Sequence, residues 1–219
     1  MENFDDARNR MVERQLRARG IRDTRVLEAM RAVPRHRFVP DALSEFAYSD
    51  TPLPIGEEQT ISQPAVVARM IEAAEVKPGD RVLDVGTGSG YAAAVLAQLA
   101  AHVDSVERHR SLADRARAVL AEQGYDNVDV YHADGTLGLP ERAPFDAIIA
   151  AAGGPRVPQS WLDQLAPGGR IVMPIGRGRE HQRLIKLTRK SETWFDEEHL
   201  GDVVFVPLIG KEGWFSDSA

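Results

Sequence analysis

The chain has 219 residues, 43% of them apolar and 27% charged, with no cysteine and a formal net charge of −6 at pH 7. That length supports one sizeable core; the composition excludes a disordered chain, the lack of cysteine excludes disulfides, a thiol nucleophile and thiolate metal sites, and the acidic balance argues against a binder of nucleic-acid phosphates. No apolar run approaches the ~20 residues of a membrane-spanning helix, and residues 1–6 lack the basic start and apolar stretch of a signal peptide, so a cytoplasmic chain with no membrane partner is expected.

Residues 5–19 place Ala7, Met11, Val12 and Leu16 on one face, which is helical spacing, and Gly20 stops that helix. Its arginines (Arg8, Arg10, Arg14, Arg17, Arg19) alternate with acids and apolar residues and read as a solvated face, so no nucleic-acid partner is expected. A short helix over 24–32 carries Val26, Leu27 and Met30 and ends before Pro34. The segment 34–61 contains Pro34, Pro40, Pro52, Pro54 and Gly56 and is expected to be mostly loop. Val66, Val67, Met70, Ile71 and Ala74 then form another amphipathic helix.

From residue 81 strands alternate with helices. Strands are expected over 81–85, 102–106, 127–131, 145–151 and 170–174, helices over 91–100, 109–123 and 158–166, and closing strands over 182–189 and 202–208. This alternation predicts an α/β fold, a doubly wound, mostly parallel sheet with an N-terminal helical extension. One domain is expected over 1–219, with N-terminal helices and a substrate loop in 1–75, a cofactor-binding core in 76–175 and C-terminal strands in 176–219. Ligands in such sheets bind at the carboxyl ends of the strands, where the strand order reverses.

The key stretch is Val82-Leu83-Asp84-Val85-Gly86-Thr87-Gly88-Ser89-Gly90-Tyr91, which leaves the first core strand and enters a helix. Its glycines run G-x-G-x-G, not the G-x-G-x-x-G of the dinucleotide fingerprint, and Asp84 precedes them by two residues. The spacing D-x-G-x-G-x-G resembles the cofactor loop of class I methyltransferases. An acid there suits a ligand with a cationic amino-acid end and would repel a pyrophosphate. Asp84, Gly86, Thr87, Gly88, Ser89 and Gly90 are therefore expected to hold S-adenosylmethionine. Glu107, at the end of the second core strand, can accept hydrogen bonds from both ribose hydroxyls, a role equally useful for NAD. Asp134-Gly135 follows the third strand; it either meets an adenine amino group or simply forms a turn.

Several further segments together resemble one family, the protein-L-isoaspartate O-methyltransferases, over residues 11–214. The most specific is Pro52-Leu53-Pro54-Ile55-Gly56-Glu57-Glu58-Gln59-Thr60-Ile61-Ser62-Gln63-Pro64, which looks like the family's signature loop. Val33-Pro34-Arg35-His36-Arg37-Phe38-Val39-Pro40, Ala133-Asp134-Gly135, Phe145-Asp146-Ala147-Ile148-Ile149, Leu165-Ala166-Pro167-Gly168-Gly169-Arg170 and Val204-Phe205-Val206-Pro207-Leu208 also match. Glu58 stands where the family often has glycine, and Ala65 where a larger residue often follows the proline. Ile209 stands where some relatives carry threonine, and Asp104 is an odd charge inside a strand, expected at the sheet surface.

The resemblance implies methyl transfer from S-adenosylmethionine, leaving S-adenosylhomocysteine, to the free α-carboxylate of isoaspartyl residues in damaged proteins and peptides. The ester then collapses to a succinimide without the enzyme, and hydrolysis of that ring returns some normal aspartate. The family's active-site serine falls on Ser62, and Thr60 and Ile61 beside it are assigned to the cofactor. A second reading makes Ser62 the cap of the helix that follows; in either case nearby backbone amides at that helix N-terminus are expected to help grip the carboxylate. The proline-rich 40–61 loop and the segment 203–208 are the expected walls of the cleft. A free carboxyl with a pKa of roughly 3.5 is ionised at pH 7 and needs no general base. The six histidines (36, 102, 109, 132, 181 and 199) show no tight ligand spacing, so no metal is expected. A monomer is expected.

Three rival readings carry different chemistry. A class I methyltransferase acting on RNA or a small molecule is disfavoured by the missing cysteine, by the acidic charge and by Ala150-Ala151-Ala152-Gly153-Gly154-Pro155, which is no Asn/Asp-Pro-Pro-aromatic motif. The glycine spacing disfavours a nucleotide-binding oxidoreductase. A module that holds the cofactor without turnover is separated by methylation of an isoaspartyl peptide.

Overall fold

Asn3 opens the first helix by accepting the Asp5 N–H on its side chain. The structure, a computed structural model, describes residues 3–176 and 181–215. Helix α1 (Phe4–Met11) continues through a π-turn over Val12–Leu16 and a 3₁₀ turn over Arg17–Arg19, so the helix expected over 5–19 is one run with three bonding patterns. Gly20, at φ 93°, ends it in a Schellman turn: Ile21 N–H reaches the Leu16 carbonyl and Gly20 N–H the Arg17 carbonyl, both at 3.1 Å. Helix α2 (Thr24–Ala32) starts on the Asp23 side chain.

The stretch expected as loop is more ordered than its prolines suggested. Two 3₁₀ turns, Arg35–Phe38 and Asp41–Phe46, precede an antiparallel hairpin of β1 (Leu53–Gly56) and β2 (Gln59–Ile61). Pro54 fits because a two-stranded ribbon has open edges where no N–H is needed. Helix α3 (Pro64–Ala74) follows, with Pro64 at the first turn, where its missing donor costs nothing.

The core then alternates β3 (Arg81–Val85), α4 (Tyr91–Ala97), β4 (His102–Glu107), α5 (Arg110–Glu122), β5 (Val128–His132), β6 (Phe145–Ala150), α6 (Gln159–Gln164), β7 (Leu165–Gly176), β8 (Gln182–Arg189) and β9 (Phe195–Val203). The sheet order is β5-β4-β3-β6-β7-β8-β9. Strands β3 to β7 pair in parallel, and β8 and β9 add antiparallel at one end. Side chains alternate across this sheet. Val82, Val103, Ala147 and Val172 face one apolar layer, shared with α3, α4 and the N-terminal helices; Leu83, Val106, Ile148 and Ile171 face another, with Trp161 of α6.

Two expectations need correction. The last strand is not 202–208 but Phe195–Val203, whose mostly exposed residues give an edge strand little apolar signal. The apolar run after it leaves the sheet and is anchored at the carboxyl end of β6: Gly153 N–H donates to the Val206 carbonyl and Leu208 N–H to that of Gly153, both at 2.8 Å. Asp104 is not at the sheet surface. It is fully buried and accepts from Arg81 Nε at 3.0 Å, Arg142 Nε at 2.9 Å and Tyr131 O–H at 3.2 Å, so its charge is paired inside the sheet.

Candidate active site

Strand order reverses between β3 and β6, since β4 and β5 lie on one side of β3 and β6 and β7 on the other. At that switch point β3 ends and the chain turns through Gly86, Gly88 and Gly90, at φ 91°, 54° and 89°. All three lie in the left-handed region, which glycine alone enters without strain. At Gly88 space adds to the demand, because a Cβ there would lie 3.2 Å from Ile55 Cδ1 of the hairpin. The loop is tied down by Gly86 and Thr87 N–H groups on the Val106 carbonyl, at 2.9 and 3.2 Å.

Asp84 is 1% exposed. Its Oδ2 accepts from Ser105 Oγ at 2.7 Å, and the Ser105 hydroxyl in turn meets Thr87 Oγ1. Its Oδ1 is buried and has no partner among the described residues. Burial pushes its pKa up to about 6, against the Ser105 hydrogen bond that lowers it, and the nearby Glu107 charge raises it further. A buried carboxylate oxygen without a donor is costly until a cationic donor arrives. A small inner cavity lies against this residue, also lined by Thr87, Gly88, Ser89, Ile61 and Ser62.

An outer cavity of about 280 Å³ adjoins it, lined by Gly86, Gly88, Glu107, Gly135, the hairpin residues Glu57–Thr60 and the segment Val206–Ile209. Glu107 is aimed by the backbone: Gly88 N–H donates to Oε2 and His109 N–H to Oε1, each at 2.9 Å. A carboxylate held by two amides still has lone pairs for a vicinal diol. Of the two alternatives for Asp134, its hydrogen bonds match the turn. Its Oδ1 accepts from Thr136 N and Oγ1 at 2.9 and 2.7 Å, and its Oδ2 from Lys211 N at 2.9 Å. The turn-forming reading fits that carboxylate; Gly135 lines the cavity and Asp134 does not.

Ser62 lies where the inner cavity meets a groove formed by Pro52, Gln63, Val66 and the segment 202–207. Thr60 opens onto both cavities and the groove, and Ile61 is buried against the inner one. The cap reading of Ser62 fails, since Gln63 occupies the cap position of α3 and no described residue hydrogen-bonds the Ser62 hydroxyl. The expected help from helix amides fails too. Pro64 has no N–H, Ala65 N faces Asp50 Oδ1 at 3.4 Å, and Val66 N donates to the Gln63 carbonyl at 3.1 Å.

Three contributors escaped the sequence reading. Ser105 is the register partner of Asp84 on β4, and its signal was a hydroxyl in an apolar strand two residues before Glu107. Asp50 fills the helix N-terminus from a stretch that offered no periodicity. Arg35 donates Nη2 to the Ser62 carbonyl at 2.8 Å, and nothing in the run Arg35-His36-Arg37 separated it from its basic neighbours.

An orphaned buried oxygen for a cation, a backbone loop that leaves room at its glycines and a second carboxylate for a sugar diol fit S-adenosylmethionine residue by residue. On this sheet they make the chain a class I S-adenosylmethionine-dependent methyltransferase. The chain belongs to the protein-L-isoaspartate(D-aspartate) O-methyltransferase family, whose model matches residues 6–213. It is 57% identical over 204 residues to a protein-L-isoaspartate O-methyltransferase of Rhodopseudomonas palustris, covering 93% of this chain and 94% of that one. A relative of the same name from Methanoculleus marisnigri is 56% identical over 207 residues, covering 94% and 93%. Among solved structures, a Plasmodium falciparum protein-L-isoaspartate O-methyltransferase in complex with S-adenosyl-L-homocysteine superposes with a TM-score of 0.81 at 28% identity, covering 95% of this chain and 99% of that one.

Proposed function

We propose that the chain methylates the free α-carboxylate of L-isoaspartyl residues in damaged proteins and peptides, and that Ser62 holds that carboxylate at the junction of cavity and groove. The observation that carries this reading is the position of Ser62: an uncommitted hydroxyl on a residue that lines both the inner cavity at Asp84 and the adjoining groove.

Bound in the two cavities, S-adenosylmethionine supplies an electrophilic methyl group on a cationic sulfur. Asp84 Oδ1 takes the cofactor's ammonium group and Glu107 its ribose hydroxyls. Gly86, Thr87, Gly88, Ser89 and Gly90 give the backbone cradle, Thr60 and Ile61 one wall, and Gly135 the base-side floor. Asp134 serves by shaping the turn that carries Gly135. Ser62 Oγ donates to one carboxylate oxygen and so orients the other. The substrate acid is already ionised, so Ser62 need not move a proton. Apolar groups at Ile61, Val67 and Ala151 keep water from a reaction in which opposite charges cancel, and holding the partners in line contributes about 7–11 kcal/mol of the barrier.

No metal enters this reading. His102, Asp104 and Asp129 come within ligand distance of one another, but Arg81 and Arg142 already neutralise their carboxylates. We read residues 1–219 as one methyltransferase domain with the three parts drawn from the sequence, acting as a cytoplasmic monomer on protein substrates, without nucleic-acid or membrane partners. The cysteine-free composition and the net charge of −6 support that setting, and no helix of the described residues is long and apolar enough to cross a membrane.

The test is labelled S-adenosylmethionine with an isoaspartyl peptide beside its aspartyl twin. Label confined to the isoaspartyl peptide is expected; label in both or in neither overturns the assignment. Ser62→Ala should lower kcat by about 10²-fold, the scale of one lost positioning contact, and a variant with full turnover removes Ser62 from the site.

A further inference from the structure

Arg35 has no exposed surface at all, yet no carboxylate among the described residues hydrogen-bonds or ion-pairs with it. Its Nε donates to the Ala47 carbonyl at 2.7 Å and its Nη2 to the Ser62 carbonyl at 2.8 Å. Its guanidinium lies 4.8 Å from the centre of the Tyr91 ring, and its Nη1 is buried without a partner. Tyr91 opens α4, directly after Gly90 of the cofactor loop, and is locked in turn by Phe38 edge-on at 5.8 Å and by Met30 Sδ at 3.6 Å from its hydroxyl.

A buried cation that hydrogen-bonds only to carbonyls and lies on a ring face, with the Asp50 carboxylate acting on it only through space, is an expensive way to fill a core. An apolar side chain would fill the volume more cheaply, and a lysine cannot bridge two carbonyls while lying flat on an aromatic ring. The fixed fork of the guanidinium does what neither can: it joins the Ser62 backbone to the helix that carries the glycine loop. Ser62 sits between the end of β2 and the start of α3, and its carbonyl is the only part of it that a described residue holds from outside the local chain.

We propose that Arg35 is a positioning residue for methyl transfer, fixing Ser62 through its main-chain carbonyl and registering it against the cofactor loop through Tyr91. It touches neither substrate nor cofactor; it sets the angle at which the Ser62 hydroxyl meets the carboxylate. The proposal rests on the reading of Ser62 given above.

A double-mutant cycle separates the two. Arg35→Met, Arg35→Lys, Ser62→Ala and the two doubles are compared by kcat and KM on an isoaspartyl peptide, with S-adenosylhomocysteine affinity by calorimetry and melting temperature alongside. Positioning predicts that R35M lowers kcat by about 10²-fold, that R35K recovers part of that loss, and that cofactor affinity moves far less than kcat. It also predicts that R35M in the S62A background costs less than about threefold, because the group it positions is gone. A full, additive loss on top of S62A, or a kcat loss that merely follows cofactor affinity, overturns the proposal. Should R35M fail to fold, the R35K arm decides by the same non-additivity. An S62A protein with wild-type kcat would instead defeat the Ser62 reading, which is a separate outcome.

Discussion

Asp84 enters the cofactor-free protein with its pKa pushed up to about 6, mainly by burial. Only the ionised form attracts an ammonium group, so binding below pH 6 must first expel a proton. S-adenosylmethionine affinity should therefore weaken as pH falls through about 6, by up to about tenfold per unit, and Asp84→Asn should lower the affinity at pH 7.5 and flatten the profile. Calorimetric titrations between pH 5 and 8 read both effects; a wild-type profile as flat as that of the variant would refute the role. The same shift has the opposite sign for folding. The folded state holds a proton that the unfolded chain releases above about 3.8, so Asp84 by itself makes the free protein more stable as pH falls from 6 towards 4. The difference in melting temperature between wild type and D84N across that window isolates it from other carboxylates. Asp104 offers a contrast at the same scale: a buried carboxylate with three donors but no place in the cavity. Asp104→Asn should cost about 1–3 kcal/mol in urea unfolding and leave kcat within a factor of two. The glycine loop, Glu107 and Ser62 were legible because each needs a particular residue type at a particular place. Ser105, Asp50 and Arg35 were not, since their roles arise from what the fold brings beside them.

The β1–β2 hairpin shows what an element can hide from its sequence. Its turn residues Glu57 and Glu58 both have positive φ, at 53° and 56°, as a two-residue hairpin turn demands. Glycine would enter that conformation freely, whereas each glutamate is strained by about 1–2 kcal/mol. Glu57 is held by Ser111 Oγ at 2.5 Å, and Arg115 binds the Ile55 carbonyl, so contacts to α5 keep the turn over the outer cavity. Glu58 makes no such contact among those described, and it stands where the family often has glycine. Glu58→Gly should raise the melting temperature by roughly 1–3 °C, the strain relieved exceeding the backbone entropy that glycine loses on folding. An unchanged or lower value would show that Glu58 is held by more than its backbone. The prolines of this stretch suggested loop, and residues 202–208 suggested strand because most of them are apolar. Both readings failed for one reason: these segments fold against the cofactor cavity, where burial follows the site rather than a sheet period. The strands β3, β4 and β6, buried on both faces, and the edge strand β5 matched their expected spans to within a residue or two.

At the scale of the molecule, the N-terminal helices are part of the main core. Met11, Val12, Leu16, Val26, Leu27 and Met30 are all at most 2% exposed and belong to the same apolar layer as Val82, Val103 and Val172 of the sheet. Burying each contributes about 1.5–3 kcal/mol, so the six together approach or exceed the roughly 5–15 kcal/mol by which a domain is stable at all. The strand–helix alternation alone suggests that the sheet should fold without them; the packing says it should not. A chain shortened to residues 33–219 should therefore show no cooperative unfolding transition in urea and no S-adenosylhomocysteine binding. The full chain should unfold in a single step, its unfolding free energy raised by the cofactor by RT ln(1 + [L]/Kd), about 2.7 kcal/mol at a hundredfold excess over Kd. A shortened protein that unfolds sigmoidally and still binds the cofactor would mean that the helices only cover the substrate groove, and that the catalytic sheet is a folding unit of its own.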